Sequence, residues 1–452
     1  MAPCKWRATN SGSTQELVNS QYPRPVGNLS ARHKRYRASK DEMIVILFAV
    51  IGALLVLAFI ANRLFWLTRI PDVVVLMLVG VFLGPILGII HANEFRTITS
   101  GIGTLAIVLV LFEAGLELDL RDTMRQFPAS LLLALFAFTA SAATSMVIVR
   151  HALGFSSPTA LLVGAVLGCT SSTIVLPVLQ QVKASEPVRI TLSLESALGD
   201  VFAVLAVGIL LDLKSTSGPL WHDIFQALLS QIVVAALLGI LDGLLWSRLM
   251  PKISEERFWH ALTFANVLLL YAGSEALRAS GLIAILTFGL TLSNIPGLLS
   301  KLDQPLAKEP GNGGHHHHVL TFHSELGFLV RTFFFVLIGA VAEVAGLRRD
   351  LLLSLEIVAG LLLARWISVW ASWWAIGNAE AQDRELLIWM MPRGLITAVL
   401  AFRVYQSRGE ELAFLPELAF AAILATNVML VIGSFRAKRK HGGSVLVQNA
   451  TS

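Results

Sequence analysis

Charge is what this chain has least of. Only 14% of its 452 residues are Asp, Glu, Lys or Arg, against roughly 25% in soluble domains. With 55% hydrophobic residues and a mean hydropathy of +0.70, that shortage excludes a soluble globular protein. Cysteine is scarcer still. Cys4 falls in a polar segment and Cys169 in an apolar one, so no disulfide framework can be read. No Gly-x-x-x-x-Gly-Lys-Ser/Thr phosphate loop occurs, which argues against an ATP-driven pump or a soluble enzyme. The alternating ten-residue segments of a membrane barrel are missing too, and long continuous apolar runs stand in their place. What remains is an all-α polytopic membrane protein, because lipid obliges the backbone to bond to itself. No cofactor is expected. The net charge of +5 reads as membrane orientation rather than nucleic-acid binding, so the expected surroundings are lipid.

About thirteen transmembrane helices are expected, near 43–62, 70–90, 100–118, 129–150, 157–182, 192–213, 224–248, 257–277, 280–295, 326–345, 351–374, 384–405 and 411–435. Residues 1–42 read as a disordered polar and basic tail, with no apolar core of a cleavable signal before Met43. Residues 436–452 read as a short basic tail with no soluble regulatory domain after it. Lys and Arg in short loops place the C-terminus in the cytoplasm, whereas the basic N-terminal segment points the other way. Compactness favours a plasma (inner) membrane. Spans one to six and eight to thirteen share their spacing, with span seven as connector. An offset of seven spans turns the second half over, which is the arithmetic of an inverted repeat.

The chemistry concentrates in a few residues. Asp200 sits in the middle of the apolar stretch 192–213, where an ionisable group costs about 2.5–3.5 kcal/mol and usually faces an ion or proton pathway. Ser196, four residues earlier, shares its helical face, and the two make a hard oxygen site for a small cation. Span five carries Thr170-Ser171-Ser172-Thr173 and Pro177, and span twelve carries Pro392-Arg393-Gly394. Either alone reads as a proline kink. Together, at matched places in the two halves, they read as discontinuous crossing helices whose free carbonyls and helix ends reach membrane depth. Glu195 points away from Asp200 and needs its own partner, for which Arg365 of span eleven is the candidate; this is read as a structural ion pair. Arg393 either supplies positive charge where helix ends meet or bonds a carbonyl terminus. Four histidines, His315 to His318, fall on an expected loop between spans nine and ten, either as a solvated segment or as a pH or metal sensor.

These motifs resemble the monovalent cation/proton antiporter superfamily, on its sodium/proton exchanger side, over about residues 43–435. The family's Glu-Ser-x-x-Asn-Asp pattern stands here as Glu195-Ser196-Ala197-Leu198-Gly199-Asp200. Segments 111–120, 280–284, 331–339 and Pro392-Arg393-Gly394 carry the rest of the likeness. The resemblance implies a homodimer whose protomers each hold a panel (43–118 and 257–345) and a mobile core (129–213 and 351–435), exchanging ions by an elevator-like movement for pH homeostasis. It assigns Asp200 as the shared cation and proton site, with Ser196, Thr170, Ser171 and Ser172 as ligands, and it supports the Glu195–Arg365 pair. Two departures stand out. The Asn before the Asp is Gly199, which favours electroneutral exchange. The exchangers' Thr-Asp-Pro is Thr170-Ser171-Ser172, closer to the potassium-efflux branch. Sodium/proton antiport is therefore the leading expectation and potassium/proton antiport the alternative. A cation channel and a sodium-coupled organic-anion symporter trail behind.

Overall fold

The computed structural model describes residues 29–448 except 69, 89–91, 118–119, 183, 213–220, 254–257, 303–311, 343–350 and 377–380. The chain divides into two compact units, Met1–Leu54 and Leu55–Ser452. The described part of the first is the opening of helix α1 (Leu29–Thr68). The second completes α1 and holds α2 (Asp72–Val81, continued by a π-helical turn at Phe82–Ile86), α3 (Ala92–Glu117), α4 (Leu120–Leu153), α5 (Ser157–Val166), α6 (Ser172–Gln181), α7 (Glu186–Asp212) and α8 (Trp221–Ile253). It continues through α9 (Trp259–Ala276), α10 (Gly281–Leu302), α11 (Asn312–Val341), α12 (Leu351–Ser372), α13 (Ala381–Trp389), α14 (Leu395–Arg408) and α15 (Leu415–Gln448).

All regular structure among the described residues is helical. By length and composition, seven described helices can cross a membrane: Phe48–Thr68, Arg125–Leu153, Glu186–Leu211, Leu229–Met250, Phe322–Val341, Leu351–Ala375 and Leu415–Ser434. That is fewer than the thirteen spans expected, and the reason is physical. The helices of 157–182 and 384–405 are each split in two. Others carry apolar stretches of only 10–17 residues, among them Asp72–Ile86, Gly101–Leu116 and Gly281–Asn294.

Local chemistry sets the ends. Gly154, at φ 71°, closes α4, and the Ser156 hydroxyl accepts from the Thr159 amide to cap α5. A short turn after Ala276 joins α9 to α10, with Arg278 at φ 55° and the Gly281 amide donating to Glu275 Oε1 at 2.9 Å.

Three boundaries differ from expectation. α1 begins at Leu29, so residues 29–42, expected as a disordered tail, continue the first span as helix; residues 1–28 lie outside the described part. α15 runs to Gln448, so most of the expected tail 436–452 is helix as well. α11 begins at Asn312, so His315 to His318 stand in a helix and not on a loop, and their side chains lie outside the described part.

Packing in the larger unit forms two groups of helices. α4 lies against α5, α7 and α12, and α15 against α13 and α14. α11 packs on α2 and α3, and α10 on α3 and α8. α3 also meets α14 and so joins the groups. At the α3–α10 contact a Cβ on Gly115 would come 2.5 Å from the Leu286 carbonyl oxygen, so only glycine lets these helices approach this closely. Leucines such as Leu241 and Leu352 face outward, 62% and 77% exposed, as a lipid-facing surface requires.

Candidate functional site

Helices α5 and α6 are parts of one interrupted segment, and α13 and α14 of another. Between the first two, residues 167–171 leave helical geometry, with Ser171 extended. Between the second two, residues 390–394 do the same. All ten of these residues are buried, so their free backbone groups need partners inside the protein. They find one in each other, since the Ser171 amide donates to the Pro392 carbonyl at 2.8 Å. The crossing is tight. A Cβ on Gly394 would meet the Ser171 side chain, its own Cβ only 2.7 Å away, so glycine is required here by space. The N-terminal ends of α6 and α14 therefore open at the crossing and present positive dipole ends and free amides there.

Pro392, Arg393 and Gly394 lie in the second interruption. Pro177 does not lie in the first: it sits inside α6, and the expectation that it breaks the helix is corrected. The break forms at 167–171 because that stretch trades its helical bonds for the cross-bond to Pro392. Pro177 only removes one amide from an otherwise continuous helix.

Helix α7 passes the crossing and delivers both acids. Asp200, 1% exposed, accepts a hydrogen bond at Oδ2 from the Ser172 hydroxyl at 2.7 Å. Ser172 is the first residue of α6, so the carboxylate rests on a helix N-terminus. Its other oxygen, Oδ1, is buried and accepts no hydrogen bond. The Cys169 thiol interacts with this carboxylate and stands 3.8 Å from Thr397 Oγ1. Five residues earlier, Glu195 turns the other way. Arg365 grips it with Nη1 to Oε1 at 2.9 Å and Nη2 to Oε2 at 3.3 Å, and Arg365 Nε donates to the Leu387 carbonyl in α13 at 2.8 Å.

The other expected ligands are distributed differently from the sequence reading. Thr170 donates its hydroxyl to Glu195 Oε1 at 2.9 Å and serves the ion pair. Ser171 and Thr173 share a hydrogen bond at 2.7 Å between their hydroxyls. Ser196, expected beside Asp200, instead donates to the Ser193 carbonyl at 3.0 Å, because a serine inside a helix can reach back to its own previous turn. Among these hydroxyls, Ser172 is the one bonded to Asp200.

Arg393 is a buried latch. Its amide donates to Thr426 Oγ1 at 2.9 Å, its carbonyl accepts from Asn427 Nδ2 at 3.0 Å, and its guanidinium donates to Ser141 Oγ at 3.2 Å. The second interruption is thereby tied to α15 and α4. Sequence reasoning missed Thr426 and Asn427, although two adjacent polar residues within an apolar span were the available signal. It also missed Ser141, Cys169 and Thr397, which carry no such signal.

A cavity of about 690 Å³ reaches the crossing at Ser172. Its walls include Ser172, Thr173 and Gln180 of α6, Glu113 of α3, and Ser324, Glu325 and Arg331 of α11. Glu113 accepts from the Ser324 hydroxyl at 2.6 Å. The cavity wall thus brings two carboxylates and an arginine together with the hydroxyl that holds Asp200. A buried carboxylate with one oxygen free of hydrogen bonds, held by a hydroxyl on the cavity wall, can bind a proton or a small cation. Among the described residues no cluster of His, Cys, Asp and Glu could hold a resident metal ion.

The family described as sodium/hydrogen exchanger, transmembrane, matches residues 44–438. A curated relative, Na(+)/H(+) antiporter 1 of Methanocaldococcus jannaschii, is 25% identical over 372 residues, 78% of this chain and 82% of that protein. K(+)/H(+) antiporter NhaP2 of Shewanella oneidensis is 26% identical over 371 residues, 78% of this chain but only 60% of that protein. Among solved structures, the sodium proton antiporter MjNhaP1 from M. jannaschii at pH 8 superposes with a TM-score of 0.72 at 20% identity, covering 88% of this chain and 97% of that one. The two share a fold.

Proposed function

The chain belongs to the sodium/hydrogen exchanger family of multi-pass membrane transporters, and from that premise we propose that it exchanges sodium for protons, one for one, through Asp200. The single observation that carries this reading is the Asp200 carboxylate itself: buried, held at Oδ2 by Ser172 and without a hydrogen bond at Oδ1, with Ser172 on the wall of the cavity. One carboxylate accommodates a proton or a monovalent cation, not both. Arrival of the cation releases the proton, and protonation releases the cation. An empty, charged carboxylate is costly to carry through an apolar interior, which suppresses leak and makes the exchange obligatory.

The wider architecture belongs to the same proposal. Thirteen spans form an inverted repeat, and α4–α7 with α12–α15 move as a core against a panel in an elevator-like step. The Glu195–Arg365 pair and the Arg393 latch keep the core's interrupted helices together while it moves. The protein works as a homodimer in lipid, without a cofactor or nucleic acid, in the plasma membrane with its C-terminus in the cytoplasm, and contributes to pH homeostasis. Potassium is the second reading for the cation. It is favoured by Thr170-Ser171-Ser172 at the first interruption and is in keeping with the name of the S. oneidensis relative.

The test is reconstitution in proteoliposomes with an internal pH dye. Sodium added outside should drive proton movement in the wild-type protein and none in Asp200→Asn. Transport retained by Asp200→Asn would refute the site.

A further inference from the structure

Most interior glycines of this protein are forced by packing. A Cβ on Gly115 would lie 2.5 Å from the Leu286 carbonyl oxygen, and one on Gly289 would lie 2.7 Å from that of Phe112. Gly199 is different. It is buried, yet a Cβ there would find nothing nearer than 3.8 Å, an ordinary van der Waals distance. Its backbone is helical, so no unusual φ calls for glycine. The atoms across the gap are Cys169 Cβ and Cα and the Thr170 amide nitrogen, all in the first helix interruption. The gap therefore lies between α7 and that unwound stretch, one residue from Asp200. The Cys169 side chain, which lines it, also interacts with the Asp200 carboxylate.

We propose that Gly199 and Cys169 form a deliberately roomy flank of the Asp200 cation site and set its size selectivity, so that potassium-sized ions are admitted alongside sodium. The proposal rests on the reading of Asp200 as the cation site and adds the residues that choose among cations. A small cation needs oxygens drawn in closely around it, whereas a larger one needs space and tolerates a looser shell. Glycine at 199 leaves that space, and the thiol at 169 supplies a weakly polar wall in place of a hard oxygen that would compete for the smaller ion. The carboxylate oxygen Oδ1, free of hydrogen bonds, is the acceptor such an ion would use.

The experiment measures half-saturating sodium and potassium concentrations for proton exchange in proteoliposomes of the wild-type chain, Gly199→Ala and Cys169→Ala. Wild-type protein is expected to exchange both ions at comparable concentrations. Gly199→Ala fills the gap without a clash and replaces glycine by a better helix former, so it should fold. It is expected to raise the potassium-to-sodium ratio of half-saturating concentrations about tenfold, the lower end of what one methylene does in a fitted pocket. Cys169→Ala enlarges the flank and should move the ratio the other way. A ratio unchanged in both variants, or moved in the same direction by both, overturns the proposal while leaving Asp200 as the exchange site. Wild-type protein that exchanges neither ion overturns the Asp200 reading, and this one with it.

Discussion

Removing Arg365 should be among the most damaging single changes in the protein. The residue is 2% exposed and its partner Glu195 1%. Its guanidinium makes both bonds to the carboxylate and a third to the Leu387 carbonyl. In Arg365→Met, Glu195 would keep only the Thr170 hydroxyl as a partner for a buried negative charge. Breaking such a pair from one side costs about 3–5 kcal/mol. At about 2 °C per kcal/mol for a long chain, the melting temperature should fall by about 6–10 °C. Fluorescence-detected size-exclusion chromatography of heated, detergent-solubilised protein would read this. The double variant Glu195→Met with Arg365→Met should recover most of the loss, because replacing both partners with apolar groups is often near neutral. If the pair is structural, the double variant should also retain sodium-dependent proton exchange. A single variant melting within about 1 °C of wild type, or a double variant no better than the single, would refute the reasoning.

Other perturbations separate the parts of the site. Asp200→Asn should keep its melting temperature and monodisperse elution while losing all cation-driven proton movement in proteoliposomes. Ser172→Ala removes the 2.7 Å hydrogen bond to Asp200; since a bond to a charged group contributes about 1.5–3 kcal/mol, apparent sodium affinity should drop about tenfold or more, and unchanged affinity would argue that Ser172 plays no part. Gly394→Ala drives a methyl into Ser171, and overpacking of this kind costs about 1–3 kcal/mol, so both thermal stability and exchange should fall; normal values would mean that the crossing can relax.

The fold class was legible because an apolar chain makes every charge conspicuous. An Asp200 in the middle of the apolar stretch 192–213 and a buried Arg365 with one sensible partner are cheap to notice and costly to explain otherwise. The crossing was half legible. Pro392-Arg393-Gly394 marked the second interruption, but Pro177 drew attention to the wrong end of the first. Interruption is decided by where an unwound strand can bond its partner, as Ser171 does with Pro392, and not by the residue least suited to a helix. Ser196 was misplaced for a related reason. Helical spacing puts a hydroxyl on a face, while local competition with the backbone decides what it bonds.

The sequence by itself thus determined that the chain is a helical membrane protein and that Asp200, Glu195 and Arg365 are its unusual charges, since the cost of burying charge is written residue by residue. Only the tertiary structure decided the assignment of partners. Which hydroxyl serves Asp200 and which serves Glu195 depend on how the first interruption is held, and it is held where the two interrupted helices meet. That meeting is a contact between segments more than two hundred residues apart, and no periodicity within either segment encodes it.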